Sequence, residues 1–279
     1  MRVLLLGNSQ SYLAKRLEQE SAGHNHSFKS LSLNQVILDY QRSGIGIYDR
    51  TGADLTDFDV YFFYAIGRQV SLVAELAKHL KQLGKVVVED ILSQGALPND
   101  KISFMEHSVL STVPYRFFFH LSRDQEKSFQ YPLIAKTANG SLGQSVAKIN
   151  NHRELGDYIQ KHGRSLIIQS YLPIKSDYRV IVVGNQALGA MERVVKPNDF
   201  LSTRAGGARK SVNLAPEVLA QCVQAVQAKG LALAGVDLVK HYDHYHCFEI
   251  NSSPQIRIFE KITGLNVAGE IFNYLTSKR

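Results

Sequence analysis

The 279-residue sequence has few of the features that mark secreted, fibrous or membrane proteins. Only two cysteines occur, Cys222 and Cys247, so we expect no disulfide framework. No apolar run reaches the roughly 20 residues that a membrane-spanning helix needs. The apolar start, Met1–Gly7, is too short for a signal peptide and predicts a first strand. Repeats and low-complexity segments are missing as well. We therefore expect a cytoplasmic globular protein with no membrane partner.

Blocks of like charge are also missing. The chain has 32 Lys and Arg against 25 Asp and Glu, a net charge of +7, and the basic residues are scattered. Nucleic acid is not expected as the main partner, because its binding usually needs clustered basic residues. Recognition of phosphate or carboxylate inside a cleft explains the same excess. The sequence shows no Ser-His-Asp arrangement of the hydrolase type.

The apolar pattern divides the chain into three parts. Residues 1–93 alternate apolar strands with amphipathic helices, which predicts a small parallel α/β domain. Residues 94–172 predict a linker helix and a small subdomain. Residues 173–279 contain two antiparallel hairpins, Arg179–Val194 and Ala234–Asn251. The predicted fold class is α/β followed by α+β. The strands predicted in the first part are Val3–Leu6, Val60–Tyr64 and Val86–Val88.

The second hairpin carries the densest chemical signal. Glu249 and Asn251 are two residues apart on a predicted strand, so both point to one face. If the hairpin folds symmetrically about Asp243, Asp237 lies directly opposite Glu249, with Cβ atoms about 4.5–5.5 Å apart. Two carboxylates that close repel unless a cation lies between them, and such an oxygen set suits Mg²⁺. Spacing alone leaves open a half-exposed hairpin with solvated acids.

Two further patterns are weaker. A lysine ends a predicted strand at Lys136 and is followed by a loop with two glycines, which can lay backbone N–H groups over phosphates. A plain hairpin turn explains those glycines equally well. His241, His244 and His246 cluster at the tip of the second hairpin, where a metal site and a solvated turn are the two interpretations.

Together these segments resemble the ATP-grasp superfamily and, within it, the RimK-like carboxylate–amine ligases. These include glutamate ligases acting on ribosomal proteins or peptides, and LysX-type ligases. The resemblance runs from about Asn99 to Leu275. Ser170 departs from it, because an acidic residue is usual there. The matching segments are Asn99–Lys101, Ile134–Lys136, Gly140–Val146, Ile168–Leu172, Asp177–Arg179, Ala190–Arg193, Asn198–Gly207, Gly235–Leu238, Phe248–Pro254 and Glu260–Gly264.

The resemblance implies an ATP-grasp fold with an N-terminal pre-ATP-grasp α/β domain, a mobile lid and an antiparallel C-terminal core. It implies that a carboxylate and an amine are joined through an acyl phosphate, with release of ADP and phosphate. The substrates would be an acidic amino acid or a peptide, and the cofactors ATP and Mg²⁺, or Mn²⁺ in its place. The resemblance leaves open whether the protein forms a homo-oligomer.

The resemblance also assigns roles to residues. Asp237, Glu249 and Asn251 would bind the metal, and Arg179, Arg193 and Arg204 would act in catalysis. The residues implied to bind ATP are Lys101, Lys136, Gly140, Ser141, Gly143, Gln169, Ser170, Tyr171, Leu172, Asp177, Ser202 and Thr203. Two alternatives remain at this point: an ATP-binding regulatory protein of the same fold without ligase activity, and a small-molecule phosphotransferase.

Overall fold

A computed structural model describes residues 1–42, 44–67, 69–89, 92, 110–137, 145–196, 199 and 207–278. The strands of these residues are β1 Arg2–Gly7, β2 Ser27–Ser32, β3 Val36–Gln41, β4 Gly44–Asp49, β5 Val60–Tyr64, β6 Val86–Val88, β7 Tyr115–Phe118, β8 Leu133–Lys136, β9 Ala147–Ile149, β10 Leu166–Ser170, β11 Ser176–Val183, β12 Gln186–Val194, β13 Arg209–Val212, β14 Leu233–His241 and β15 His244–Asn251. The helices are α1 Tyr12–Ser21, α2 Val70–Gln82, α3 Arg123–Glu126, α4 His152–His162, α5 Pro216–Ala228, α6 Ile256–Thr263 and α7 Val267–Thr276. No described helix is long and apolar enough to cross a membrane.

The N-terminal sheet is parallel, as the sequence predicts, in the order β2-β1-β5-β6. Its central strands, β1 and β5, are apolar almost throughout and buried, as expected for parallel strands covered on both faces. The helix α2 ends where Gly84 adopts a positive φ of 71°, a conformation that glycine reaches without strain. The outer strand β2 and the β3–β4 ribbon were not predicted.

A second, antiparallel sheet has the order β7-β10-β8-β9. The helix α4 begins after Asn151, whose side chain accepts from the N–H of Glu154. Its apolar face, with Leu155 and Ile159, packs in one cluster with Leu133 and Leu166 of the sheet. This small unit, which we call the lid sheet, has its own core. Lys136, the lysine predicted to end a strand before a phosphate-covering loop, is part of this sheet.

The third sheet, the core sheet, is antiparallel in the order β13-β12-β11-β14-β15. Val226 of α5 packs in one cluster with Val236 of β14. In another cluster, Phe259 of α6 and Phe272 of α7 are buried with Ile181 of the core sheet and Leu5 of the N-terminal sheet. The N-terminal sheet and the core sheet therefore share one hydrophobic core. The proposed domain boundaries after 93 and 172 stay predictions; residue 93 lies outside the described part.

Glu89 ties the N-terminal sheet to the strand that carries Asp237. It follows β6 with a positive φ of 70°, and its side chain is buried. Its carboxylate accepts the N–H of Ala232 at 3.0 Å and that of Leu233, at the start of β14, at 2.8 Å. Burial raises the pKa of Glu89 to about 8, although the two N–H donors act in the opposite direction. The folded protein therefore holds a proton on Glu89 up to a higher pH than the unfolded chain does.

A pH dependence of stability follows. Because the folded pKa of Glu89 lies above its ordinary value, its contribution to the unfolding free energy is lost as pH rises from about 5 to 8, by at most about 1.4 kcal/mol per pH unit. Glu89→Gln should remove this slope, whereas the exposed Glu18→Gln should keep it. Urea unfolding across this pH range measures the difference between the variants. Parallel profiles for wild type and Glu89→Gln would contradict the prediction.

Candidate active site

The two predicted metal-binding carboxylates lie opposite each other on adjacent strands. Asp237 of β14 pairs with Glu249 of β15, as the sequence predicts. The symmetry about Asp243 from which this pairing was predicted is wrong, because the hairpin is not centred on one residue. Its turn has two residues, so that His241 pairs with His244, and the register shifts after Asp237 and passes over Phe248. This β-bulge brings Glu249, rather than Phe248, opposite Asp237.

The three predicted metal ligands, Asp237, Glu249 and Asn251, differ in the hydrogen bonds and ion pairs that they already form. Asp237 is only 4% exposed, so the alternative of a solvated acid is wrong for it. The Asn251 amide Nδ2 lies 3.4 Å from Asp237 Oδ2, a long contact. Glu249 is half-buried, and among the described residues its carboxylate has no hydrogen bond or ion pair. Glu249 is therefore the carboxylate most available to a ligand.

Asp237 belongs to a buried network of two arginines and two aspartates. Arg179 Nε donates to Asp237 Oδ1 at 2.7 Å, and its Nη2 donates to Oδ2 at 2.6 Å. Arg193 holds Asp177 in the same two-pronged manner, at 2.7 and 2.9 Å. Its Nη2 also lies 3.1 Å from Asp237 Oδ1. The network therefore links β12, β11 and β14.

Strand register produces these contacts. Arg179 pairs with Asp237 across β11 and β14, and Asp177 pairs with Arg193 across β11 and β12. Side chains of directly paired residues share one face of the sheet. Burial alone would raise the pKa of Asp237, but the charges and hydrogen bonds of the two arginines hold it below its ordinary value. Asp237 is therefore ionised, and its charge is offset by arginine.

The residues present fit a Mg²⁺ ion. A carboxylate has about four lone-pair sites, and arginine N–H groups use three of those on Asp237. Asp237 Oδ2 keeps one, and the Glu249 carboxylate faces it from the next strand. Rotating the Asn251 amide by 180° would present its oxygen in place of Nδ2. One or two carboxylates are the protein share typical of a Mg²⁺ site completed by nucleotide phosphates.

The lid sheet supplies a second group of predicted residues. Lys136 ends β8 opposite Ile167 of β10, and its Nζ donates to Gln169 Oε1 at 3.1 Å. Gln169 is buried, and its Nε2 also contacts the carbonyl oxygen of Val113 at 3.4 Å. Gln169 thereby orients the Lys136 ammonium at the end of the strand. Ser170 is exposed, and Tyr171 and Leu172, which follow β10, are half-buried.

A family model described as the RimK-like ATP-grasp domain matches residues 120–275, more than half of the chain. The protein belongs to the RimK-like ATP-grasp family. The matched range includes the predicted site residues Lys136, Arg179, Arg193, Asp237, Glu249 and Asn251. It supports the ATP-grasp fold expected from the resemblance.

Similarity to relatives extends over the whole chain. A probable alpha-L-glutamate ligase of Aeromonas salmonicida is 31% identical over 293 residues, covering 100% of this chain and 97% of that protein. A protein of the same name from Legionella pneumophila is 25% identical over 295 residues, covering 100% and 96%. The structure of the ATP-grasp ligase PsnB, complexed with a phosphomimetic variant of a minimal precursor, Mg and ADP, has a TM-score of 0.77 at 16% identity, covering 99% and 97%. This RimK-like protein is an ATP-dependent, ADP-forming carboxylate–amine ligase.

Lys148 is a residue of the RimK-like ligase that the sequence reasoning missed. Its Nζ lies 4.1 Å from the ring centre of Tyr171, a cation–π contact. Lys148 is on β9 opposite Ile134 of β8, so it borders the segment implied to bind adenine. A lone lysine in a three-residue strand carries no signal in sequence. Only the pairing of β8 with β9 brings it there.

Several predicted residues are not assessed by this geometry. Lys101, Gly140, Ser141, Gly143, Ser202, Thr203 and Arg204 lie outside the described residues. In the part of the RimK-like ligase that is described, Lys210, a neighbour of the implied active-site loop, pairs with Glu192 at 3.0 Å across β12 and β13. Lys210 is largely exposed there, so it is engaged at the surface of the sheet.

Proposed function

We propose that this RimK-like ligase uses L-glutamate as one substrate and joins it to an acidic amino acid or peptide. The observation that carries the proposal is the Asp237–Glu249 pair beside Arg179 and Arg193. It combines oxygen ligands for a cation with fixed positive charge. The two glutamate ligases named above, of which this chain covers 97% and 96%, support glutamate as the substrate. Because the reaction consumes ATP, we assign it to the cytoplasm.

In this proposal Glu249, Asp237 and Asn251 hold Mg²⁺, or Mn²⁺ in its place. When bound, the ion would offset charge on the β- and γ-phosphates of ATP. Glu249 supplies the carboxylate that is available, whereas Asp237 is fixed in orientation by Arg179 and Arg193. Such fixed orientation is what a site needs to hold ligands without reorganising.

The arginines have different proposed roles. Arg193 is a positioning residue, because it is buried and its guanidinium is directed at Asp177 and Asp237. Arg179 is partly exposed and is proposed, with Arg204, to orient the acyl phosphate. Asp177 is then proposed to act through Arg193, in place of the direct contact with ATP that the resemblance implies.

The remaining proposed contacts are to ATP. Lys136 and Lys101 would bind its phosphates, and Gly140, Ser141 and Gly143 would cover them with backbone N–H groups. The segment Gln169–Leu172 would hold adenine, and Ser202 and Thr203 would line the covering loop. The buried Gln169 supports this arrangement, because its contact directs Lys136.

The test is to incubate the protein with ATP, Mg²⁺, L-glutamate and candidate amino acids or peptides, and to measure ADP, phosphate and product mass. A ligase releases phosphate and gives a product lighter by one water than its two substrates. A phosphotransferase gives a phosphorylated product, and a regulatory protein gives no ADP that depends on the substrates. Replacing L-glutamate with L-glutamine should abolish turnover; equal turnover would contradict glutamate specificity.

Lys136→Met tests the nucleotide contact. It keeps most of the side-chain stem and removes the charge, so the KM for ATP should rise about tenfold, equivalent to about 1.4 kcal/mol. The KM for glutamate should change much less. Lys127→Met is the control, because Lys127 is also near the lid sheet and 71% exposed. Steady-state kinetics with each substrate varied in turn would detect an equal effect on both KM values, which would argue against the assignment.

A further inference from the structure

The tip of the β14–β15 hairpin presents three histidines on one face. His241 pairs directly with His244 across the two-residue turn, and directly paired residues share a face of the sheet. His246 is two residues beyond His244 on β15, so the strand period brings it to the same face. The ring centres of His241 and His246 are 6.3 Å apart. The His241 and His246 rings are therefore neighbours, and His244 lies on the same face of the hairpin tip, about four residues along the strand from the site described above.

The spacing is close to that of metal-bound imidazoles. With Zn–N bonds of about 2.0–2.1 Å, two imidazoles on one tetrahedral zinc have ring centres roughly 5 Å apart. Among the residues that the structure describes, no three ligating side chains are already gathered at one point. The three imidazoles can therefore reach one metal ion only after their side chains rotate. His244 is exposed, so its ring can turn toward His241 and His246 without disturbing the core.

One of the three rings is already oriented. His246 Nδ1 lies 3.1 Å from Ser111 Oγ. When Nδ1–H donates to this hydroxyl, the lone pair is on Nε2, the nitrogen then able to bind a metal. A hydrogen bond to the second ring nitrogen is the usual way in which a protein fixes the tautomer of a metal-binding histidine.

The ammonium group of Lys240 lies away from the histidine face. Lys240 pairs with Tyr245 in the next register, which turns both toward the opposite face. The Lys240 ammonium lies 6.0 Å from the Tyr245 ring centre. It therefore does not occupy the histidine face.

We propose that His241, His244 and His246 bind a transition metal ion of the Zn²⁺ class, with water completing its coordination. Imidazole suits Zn²⁺, Ni²⁺ and Cu²⁺, whereas Mg²⁺ prefers oxygen ligands. His241 is four residues from Asp237, so their Cα atoms are about 13 Å apart along β14. The two sites therefore bind their ions independently. Through Ser111, the bound ion also fixes the segment that leads into β7 of the lid sheet.

Titration calorimetry of the full chain with ZnCl₂, in saturating Mg²⁺, tests the proposal. Wild type should bind one equivalent of Zn²⁺ at this site. His244→Ala and His241→Ala should each weaken binding at least about tenfold, because each removes a ligand. The matched control is His152→Ala, which replaces an exposed histidine at the start of α4 and should leave binding unchanged.

Three results would overturn the proposal: unchanged Zn²⁺ binding in His244→Ala, an equal loss in His152→Ala, or displacement of Zn²⁺ by Mg²⁺, which would assign the zinc to the Asp237–Glu249 ligands. If His241→Ala does not fold, His244→Gln decides, because it changes an exposed side chain. Its circular dichroism should match that of wild type while Zn²⁺ affinity falls.

Discussion

Glu249→Gln should lower turnover roughly 10²–10³-fold and leave the fold intact. The change removes one negative charge from the proposed cation site, where charge developing on phosphate must be offset. The fold should persist because the Glu249 carboxylate is only half-buried and has no partner among the described residues. The substitution therefore breaks no ion pair in the described part of the chain. Phosphate release at a series of Mg²⁺ concentrations measures both the maximal rate and the Mg²⁺ requirement.

The control for Glu249→Gln is Glu217→Gln, which makes the same chemical change at an exposed position on α5. It should leave the maximal rate and the Mg²⁺ requirement unchanged. Asp237→Asn is a poorer probe, because it also weakens the bonds that hold Arg179 and Arg193. An unchanged Mg²⁺ dependence in Glu249→Gln would remove Glu249 from the proposed metal ligands.

Arg193→Met should lower the unfolding free energy by about 3–5 kcal/mol, the usual cost of removing one partner from a buried ion pair. Asp177 and Asp237 both lose a guanidinium, and Arg179 can offset only one of them. Arg153→Met, at an exposed position on α4, should cost far less. Urea denaturation of the three proteins provides the comparison.

A second substitution separates charge from packing in this result. If uncompensated charge is the cause, adding Asp177→Asn to Arg193→Met should restore part of the lost stability, and the two effects should not add. Additive losses would instead indicate that the Arg193 side chain contributes mainly by filling space.

The fold was predictable where neighbouring residues determine it. The apolar run of β5 indicated a buried parallel strand, and the period of α2 indicated an amphipathic helix. The strands β2 and β13 are polar at most positions, so their sequences resemble loops. They become strands because β1 and β12 offer hydrogen-bonding edges, which is tertiary information.

The site shows the same division. Spacing indicated that Asp237 faces Glu249, yet it gave no signal for the bulge at Phe248 that produces this pairing. The ion pairs of Arg179 and Arg193 depend on β11 lying between β12 and β14. Strand order is a long-range property, so the buried arginines could be suspected of pairing, but their partners could not be named.

The hydrophobic core that the N-terminal and core sheets share limits how this ligase can be recombined with its relatives. A chimaera that exchanges residues 1–89 alone would place foreign side chains against Phe259, Phe272 and Ile181. Mismatched volumes there leave cavities or overpack the core. Successful grafts should therefore carry α6 and α7 together with the N-terminal segment. The part of the chain that must be exchanged as one unit is therefore discontinuous, because it combines segments from both ends of the sequence.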